Sequence, residues 1–257
     1  MTLAPLPGAG SRPRMLATHT ALETKLLLRS GEQLLLLLVI PMMLLLLLSQ
    51  LEIVELPPGP RIDFLTPGLI ALAIMSTAFT GQAVATGYER RYGALRRLAT
   101  TPLGRSTLVA GKTLTVLAVE ALQLALLAGT AIALGWQPQT GLGSLAATGA
   151  LVIAGTAAFS GLGLLLAGTL RAEATLAAAN LVYLVLLLVG GVIVPLDRFP
   201  AAVQPVLELL PIALLTNGLR GALGPAGTGE SPWLAAAGLL VWAAVAIAAA
   251  AATFRWD

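Results

Sequence analysis

Apolar residues in this chain come in long, nearly unbroken runs, and the charged residues gather at the ends of those runs. A hydrocarbon core about 30 Å thick takes roughly 20 apolar residues per helix. Six runs meet that requirement, at about 33–51, 64–88, 113–135, 144–170, 174–196 and 233–254. In the first, Pro41 predicts a kink of the kind that lipid-buried helices tolerate. The stretch 199–223 is also apolar, but Pro200, Pro205 and Pro211 interrupt it and Glu208 and Arg220 charge it. It therefore reads as short re-entrant helices at the outer interface, ahead of the last span. The expected fold class is all-α integral membrane: six transmembrane helices in a single domain, 1–257. Residues 1–13 are rich in Pro and Gly and read as disordered. Residues 14–31 mix Leu with Glu23, Lys25 and Arg29, as in an amphipathic helix lying on the inner interface; a plain extension of the first span is the alternative. No cleaved export signal is expected, because the apolar run starts only after residue 32 and has the length of a span.

Composition agrees with this pattern. Hydrophobic residues make up 57% and charged residues 11%, with a mean hydropathy of +0.90, far from the soluble average. The absence of cysteine excludes disulfide frameworks, thiol nucleophiles and Cys-based metal sites, and the single histidine, His19, leaves no basis for a histidine site. No metal site is expected. The net charge is +3 and the pI about 9.8. Twelve cations, Arg12, Arg14, Lys25, Arg29, Arg90, Arg91, Arg96, Arg97, Arg105, Lys112, Arg171 and Arg255, fall on the side of the two termini, against Arg61, Arg198 and Arg220 on the other. The positive-inside rule then places both termini in the cytoplasm. Because these cations flank spans, orientation and anionic membrane lipid account for them, and a nucleic-acid partner is not expected. The bias toward Arg, Ala, Leu and Gly suggests a bacterial chain of the cytoplasmic (inner) membrane.

The largest polar stretch is Glu89 to Lys112, with six cations and one anion. In ERRYGALRRLA, Tyr92, Leu95 and Leu98 form one apolar stripe, with Arg90, Arg91, Arg96 and Arg97 on the other faces. Thr101-Pro102 ends this short helix, and Ser106 or Thr107 can cap the next, which runs into the third span. Such a helix, held between two spans, can serve as a docking knob for a cytosolic partner. It can equally be a solvated loop whose arginines only fix topology. The run GRSTLVAGKT, Gly104 to Thr113, puts six residues between its glycines where a phosphate-binding loop needs four. It also has no preceding strand, so no nucleotide site is expected on this chain.

This stretch carries a resemblance. Glu89, Gly93, Leu95, Arg97, Leu98, Thr101, Pro102 and Gly111-Lys112 resemble the E-x3-G-x-L-x-R-L-x2-T-P linker of the ABC type-2 permease family, the membrane subunits of export-type ATP-binding cassette transporters. GGVIVPL from Gly190 to Leu196, Phe199-Pro200, Leu210-Pro211 and Leu219-Arg220 are similar to that family's fifth helix and extracellular re-entrant helices, and KLLLR with IPMMLLL to its interfacial helix and first span. The resemblance covers nearly the whole length and departs from the pattern around Ile212 to Asn217. It implies a six-helix permease without its own ATPase or bound cofactor. Two ABC ATPase subunits carrying ATP and Mg would drive it, and it would pair with a second permease copy, identical or a sister chain. Glu89 through Thr101 would be the coupling helix, and Pro195, Phe199, Pro211 and Arg220 would stand at the outer gate. The implied activity is export of an amphipathic drug, lipid or glycan, the drug case being efflux and antibiotic resistance; the cargo is left open.

Polar residues inside the spans are the remaining candidates. Ser76 and Thr80 share a face of the second span, Glu120 and Gln123 one of the third, and Asn180 is isolated in the fifth. They can line a substrate path, or they can bond their own backbone or a neighbouring helix. Glu120 in particular can serve transport or protons, pair with a cation such as Arg171, or hydrogen-bond across helices. The proton use defines a rival function, an ATP-independent secondary transporter; an anchoring protein without transport is a third. Ala154 with Ala158, Gly163 with Ala167, and Ala244, Ala248 and Ala252 have the small-residue spacing that lets helices approach closely.

Overall fold

The computed structural model describes residues 10–29, 31–51, 56, 59–94, 97, 105–224 and 231–253, and every regular element among them is helical. In chain order these are α1 Arg12–Arg29, α2 Gly31–Gln50, α3 Arg61–Arg91, α4 Arg105–Ala133, α5 Leu142–Thr169, α6 Ala172–Val189, α7 Gln204–Glu208, α8 Pro211–Leu223 and α9 Pro232–Thr253. Five of them, α3, α4, α5, α6 and α9, are long and apolar enough to cross a membrane, and α2 adds a shorter apolar segment, Leu38–Gln50.

The centre of the bundle is α3, whose side chains from Leu65 to Met75 are buried without a break. A helix buried on every side must be apolar on every side, and from Leu65 to Met75 this one is apolar except for Thr66, whose hydroxyl donates to the Ile62 carbonyl one turn back at 2.7 Å. Its middle turn, Ser76–Gly81, opens into a π-helix. That extra residue in the turn re-aims the polar side chains around it. Gly163 of α5 lets the two backbones meet there, since a Cβ at that position would stand 2.8 Å from the Phe79 carbonyl oxygen.

Small residues decide the other contacts of α5. A Cβ on Gly161 would lie 3.0 Å from atoms of Ala246 and Ile247 of α9, and Ala154, Ala158 and Ala167 are all buried. On α9 the expected stripe is not the packed one: Ala243, Ala246 and Ala250 are buried, while Ala244, Ala248 and Ala252 face outward. A run of alanines looks alike from every side, so its spacing cannot set the rotation. Leu239 turns inward and Val241 and Val245 outward, which fixes it.

The fifth apolar run also ends sooner than its hydropathy suggests. Helix α6 stops at Val189 rather than Leu196, because Gly190-Gly191 turns the chain, with Gly191 at φ 71°. Beyond a 3₁₀ turn, Leu196–Arg198, come the short α7 and then α8, each with a proline in its first turn. Helix α8 buries Ile212, Leu215 and Leu219 against α3, α5 and α9. It is part of the core at that end of the bundle.

Candidate functional site

At the arginine-rich end, three elements converge on one lysine. Lys112 stands on the first turns of α4 and is almost fully buried. Its ammonium lies 2.7 Å from the Glu89 carboxylate near the end of α3 and 3.1 Å from that of Glu23 on α1. An ammonium in such a place is tolerated only when carboxylates meet it, and both do. Next to it, Gly111 has no Cβ because His19 of α1 fills the space; a methyl there would sit 2.5 Å from the ring. His19 Nε2 in turn lies 3.4 Å from Glu23. The Thr115 hydroxyl donates toward the Thr20 carbonyl at 3.4 Å, which adds a polar contact along the same seam. Helix α1 is thereby keyed to α4 by shape and by charge, and Lys112 links it in turn to α3.

The segment after Glu89 is anchored rather than loose. Arg90 donates to the carbonyls of Ala167, at 2.8 Å, and Leu170. These belong to the C-terminal end of α5, where unpaired carbonyls and the helix dipole favour a cation. Arg91 pairs with Glu173 at the start of α6, with both side chains at least half exposed. Gly93 takes φ 72°, the left-handed conformation that ends α3. Tyr92 projects outward and stacks on Tyr88, ring centroids 6.1 Å apart. Arg97 is exposed and its guanidinium reaches the Tyr92 carbonyl at 3.4 Å. Leu95, Arg96, Leu98, Thr101 and Pro102, the rest of the expected coupling helix, lie outside the described residues.

Inside the spans the expected path residues separate into two groups. Ser76 and Thr80 on α3 and Asn180 on α6 come together, with Tyr183, Leu72, Ile40, Pro41 and Leu44, around a half-open groove of about 250 Å³ between α2, α3 and α6. Glu120 and Gln123 are not in it. The Thr156 hydroxyl of α5 donates to the wholly buried Glu120, and the Thr77 hydroxyl of the π turn donates to Gln123 at 2.9 Å. A third pair, Ser160 donating to Gln82 at 2.9 Å, joins α5 to α3. Of the uses open to Glu120, the structure realises the hydrogen bond across helices, and Arg171 is exposed elsewhere.

At the opposite end, Arg220 of α8 is enclosed by backbone. Its Nη2 donates to the Val192 carbonyl at 3.2 Å and its Nε to the Phe64 carbonyl at 3.4 Å, and the guanidinium carbon lies 3.6 Å from the centre of the Phe64 ring. Gly68 makes room, because a Cβ there would meet the Val192 carbonyl at 2.6 Å. Pro195 and Pro211 are buried nearby in the chain and Phe199 is half-buried.

A membrane-helix bundle with this linker and this proline-broken segment before the last helix can be compared with known families. The model of one described as ABC-2 type transporter matches residues 16–223. The chain belongs to the ABC-2 type transporter family. No curated protein matches it. As a membrane domain of this family, the chain is a transmembrane permease component, and ABC-2 permeases generally work with an ABC ATPase subunit. The matched range includes Glu23, Glu89, Lys112 and Arg220, so both of the ends just described belong to the ABC-2 unit.

Sequence reasoning reached Glu89 and Lys112 through the linker resemblance and Arg90 through the amphipathic pattern, but took Lys112 as a motif position and topology cation without a carboxylate partner. Glu23 and His19 were not singled out. One signal was present: Lys112 is one of two lysines among fifteen cations and follows a glycine at the start of a span, a position at which a lone ammonium needs a carboxylate. The partners Thr156 and Ser160 carried no signal, since isolated hydroxyls in membrane helices are common.

Proposed function

We propose that this permease is the membrane-spanning subunit of an ATP-driven exporter, moved by a separate ATPase that docks on the segment from Glu89 to Pro102. The observation that carries the reading is the Lys112 cluster. Because Glu89 ends one span, Lys112 begins the next and Glu23 belongs to α1, a push on the connection between α3 and α4 moves three helices together. Closure of the ATPase on nucleotide would drive that connection toward the bilayer and tilt α3 about its π turn. In this reading both termini and α1 face the cytoplasm of a bacterial inner membrane, α2 completes six crossings, and α7 with α8 forms the outer, re-entrant closure.

The groove holding Ser76, Thr80 and Asn180 is the proposed stretch of substrate path. It opens between α2 and α6, whose Met43, Leu46, Leu47, Leu181, Leu184 and Leu188 are exposed. A second permease copy, identical or a sister chain, packed along these helices would enclose it. Few polar atoms on apolar walls suit an amphipathic cargo, a drug, lipid or glycan moved outward. Proton coupling through Glu120 has less behind it: that carboxyl is shut between α4 and α5 against Thr156 and does not reach the groove.

The test is a double charge reversal, Arg96→Glu with Arg97→Glu, in the reconstituted complex. Substrate-stimulated ATPase activity should be abolished while membrane insertion stays normal. Transport at the normal rate would overturn the docking role. Loss of transport on Glu120→Gln with no ATPase present would favour the proton-coupled reading instead.

A further inference from the structure

The inward face of α1 is committed to α4, and that leaves its other face with a definite chemistry. His19, Glu23, Thr20, Leu16 and Leu27 turn toward the bundle. The only anion of the helix is thus spent on Lys112. On the far side, Arg14, Lys25 and Arg29 are all exposed, and none has an ion-pair partner among the described residues. Arg14 and Lys25 stand eleven residues apart, which at about 3.6 residues per turn is three turns, so they share one line along the helix; Arg29 is one turn further on. Beside this basic line, Leu22 and Leu26 are more than half exposed, at 56% and 60%. A basic line flanked by bare leucines on a helix pinned at the end of a membrane bundle matches one surface: a bilayer with acyl chains below and anionic headgroups at its rim.

We propose that the free face of α1 binds anionic phospholipid headgroups of the adjoining leaflet, and that through Glu23 and Lys112 this contact sets how firmly the coupling segment is held. The regulatory half rests on the coupling reading above; the lipid half does not. Charge complementarity selects the occupant. Arg90 and Arg91 at this end are engaged with α5 and with Glu173, whereas Arg12, at the start of α1, is exposed like the basic line that follows it. Arg14, Lys25 and Arg29 face outward as a single-sign line about 22 Å long at 1.5 Å per residue. Leu22 and Leu26 would have no reason to be bare against a soluble acidic partner, whereas acyl chains cover them.

The experiment uses the purified full-length permease in nanodiscs of mixed phosphatidylcholine and phosphatidylglycerol, with spin-labelled phosphatidylglycerol and spin-labelled phosphatidylcholine as probes. The motionally restricted fraction should favour phosphatidylglycerol, and the preference should weaken in high salt. The triple variant Arg14→Gln, Lys25→Gln, Arg29→Gln should lower it at least about threefold, given the attraction each juxtamembrane cation adds. Arg14→Lys with Arg29→Lys should keep it, which separates loss of charge from misfolding. Unchanged preference in the triple variant overturns the proposal. So does a variant that keeps its lipid preference but no longer retains the ATPase subunit, since the line would then belong to a protein contact. Lipid preference is read without any ATPase, so it stands or falls separately from the coupling reading. With the ATPase present, stimulated activity should rise with phosphatidylglycerol content in the native permease and stay flat in the triple variant.

Discussion

Each end of the bundle is held by one buried cation, and the two are held in opposite ways. Lys112 is met by two carboxylates on two other helices. Arg220 is met by two backbone carbonyls and an aromatic ring, with no carboxylate partner among the described residues. A contact between side chains can be broken and remade by a small shift of one helix, because both partners swing on flexible stems. A guanidinium locked into fixed carbonyl positions cannot follow such a shift, and its planar fork makes the geometry specific. The arginine-rich end is built as a joint and the opposite end as a frame. The lever proposed for this permease needs both, so the residues proposed as an outer gate include at least one, Arg220, whose contacts hold the frame in place.

The comparison can be broken most directly at the joint. Lys112→Met removes the charge and leaves Glu23 and Glu89 facing each other across a partly buried space. Each lost charged hydrogen bond is worth about 2 kcal/mol. Transport by the reconstituted complex should drop at least tenfold, and Lys112→Arg should recover part of it. Full activity in the methionine variant would show that α1 does not move with the spans. The frame comes next. Arg220→Met leaves two carbonyls unpaired in a closed space and should lower thermal stability by about 3 kcal/mol, read as a shift in the melting of detergent-solubilised permease, with Arg220→Lys intermediate.

The shape component of the joint is smaller. Gly111→Ala forces a methyl against the His19 ring and should cost about 2 kcal/mol. His19→Ala in the same chain should return much of that loss, because the obstruction is removed; additive losses would mean that the two residues do not share the space. Smallest is Gly93→Ala. Nothing stands within 4 Å of the new Cβ, so only the left-handed backbone resists, at about 1 kcal/mol. Its signature should be a modest loss of coupled ATPase activity with little change in melting temperature.

Much of this molecule was legible in the amino-acid order. Long apolar runs admit only helices in lipid, because every backbone amide must be satisfied within its own segment. The runs therefore marked the five span-length helices α3, α4, α5, α6 and α9, although α6 ends about two turns before the run does, and the prolines of 199–223 marked the break into short helices. The linker motif singled out Glu89 and Gly93, and the amphipathic pattern around it Arg90. What it could not reveal is that Glu89 and Arg90 point into the bundle, one to Lys112 and one to the end of α5.

Rotation and long-range pairing were decided only in three dimensions. In α9 the expected stripe of alanines lies on the outward face, since methyl groups alone do not distinguish one helix face from the next. Glu120 and Gln123 share a face of α4, yet they bond to different helices, and Ser76 and Thr80 open onto a groove that neither reaches. Glu23 and Lys112 lie far apart in the chain. Hydropathy along a chain fixes which segments enter the bilayer because that energy sums residue by residue. Which buried charge meets which depends on how helices turn and approach, and that is settled by the fit of whole surfaces.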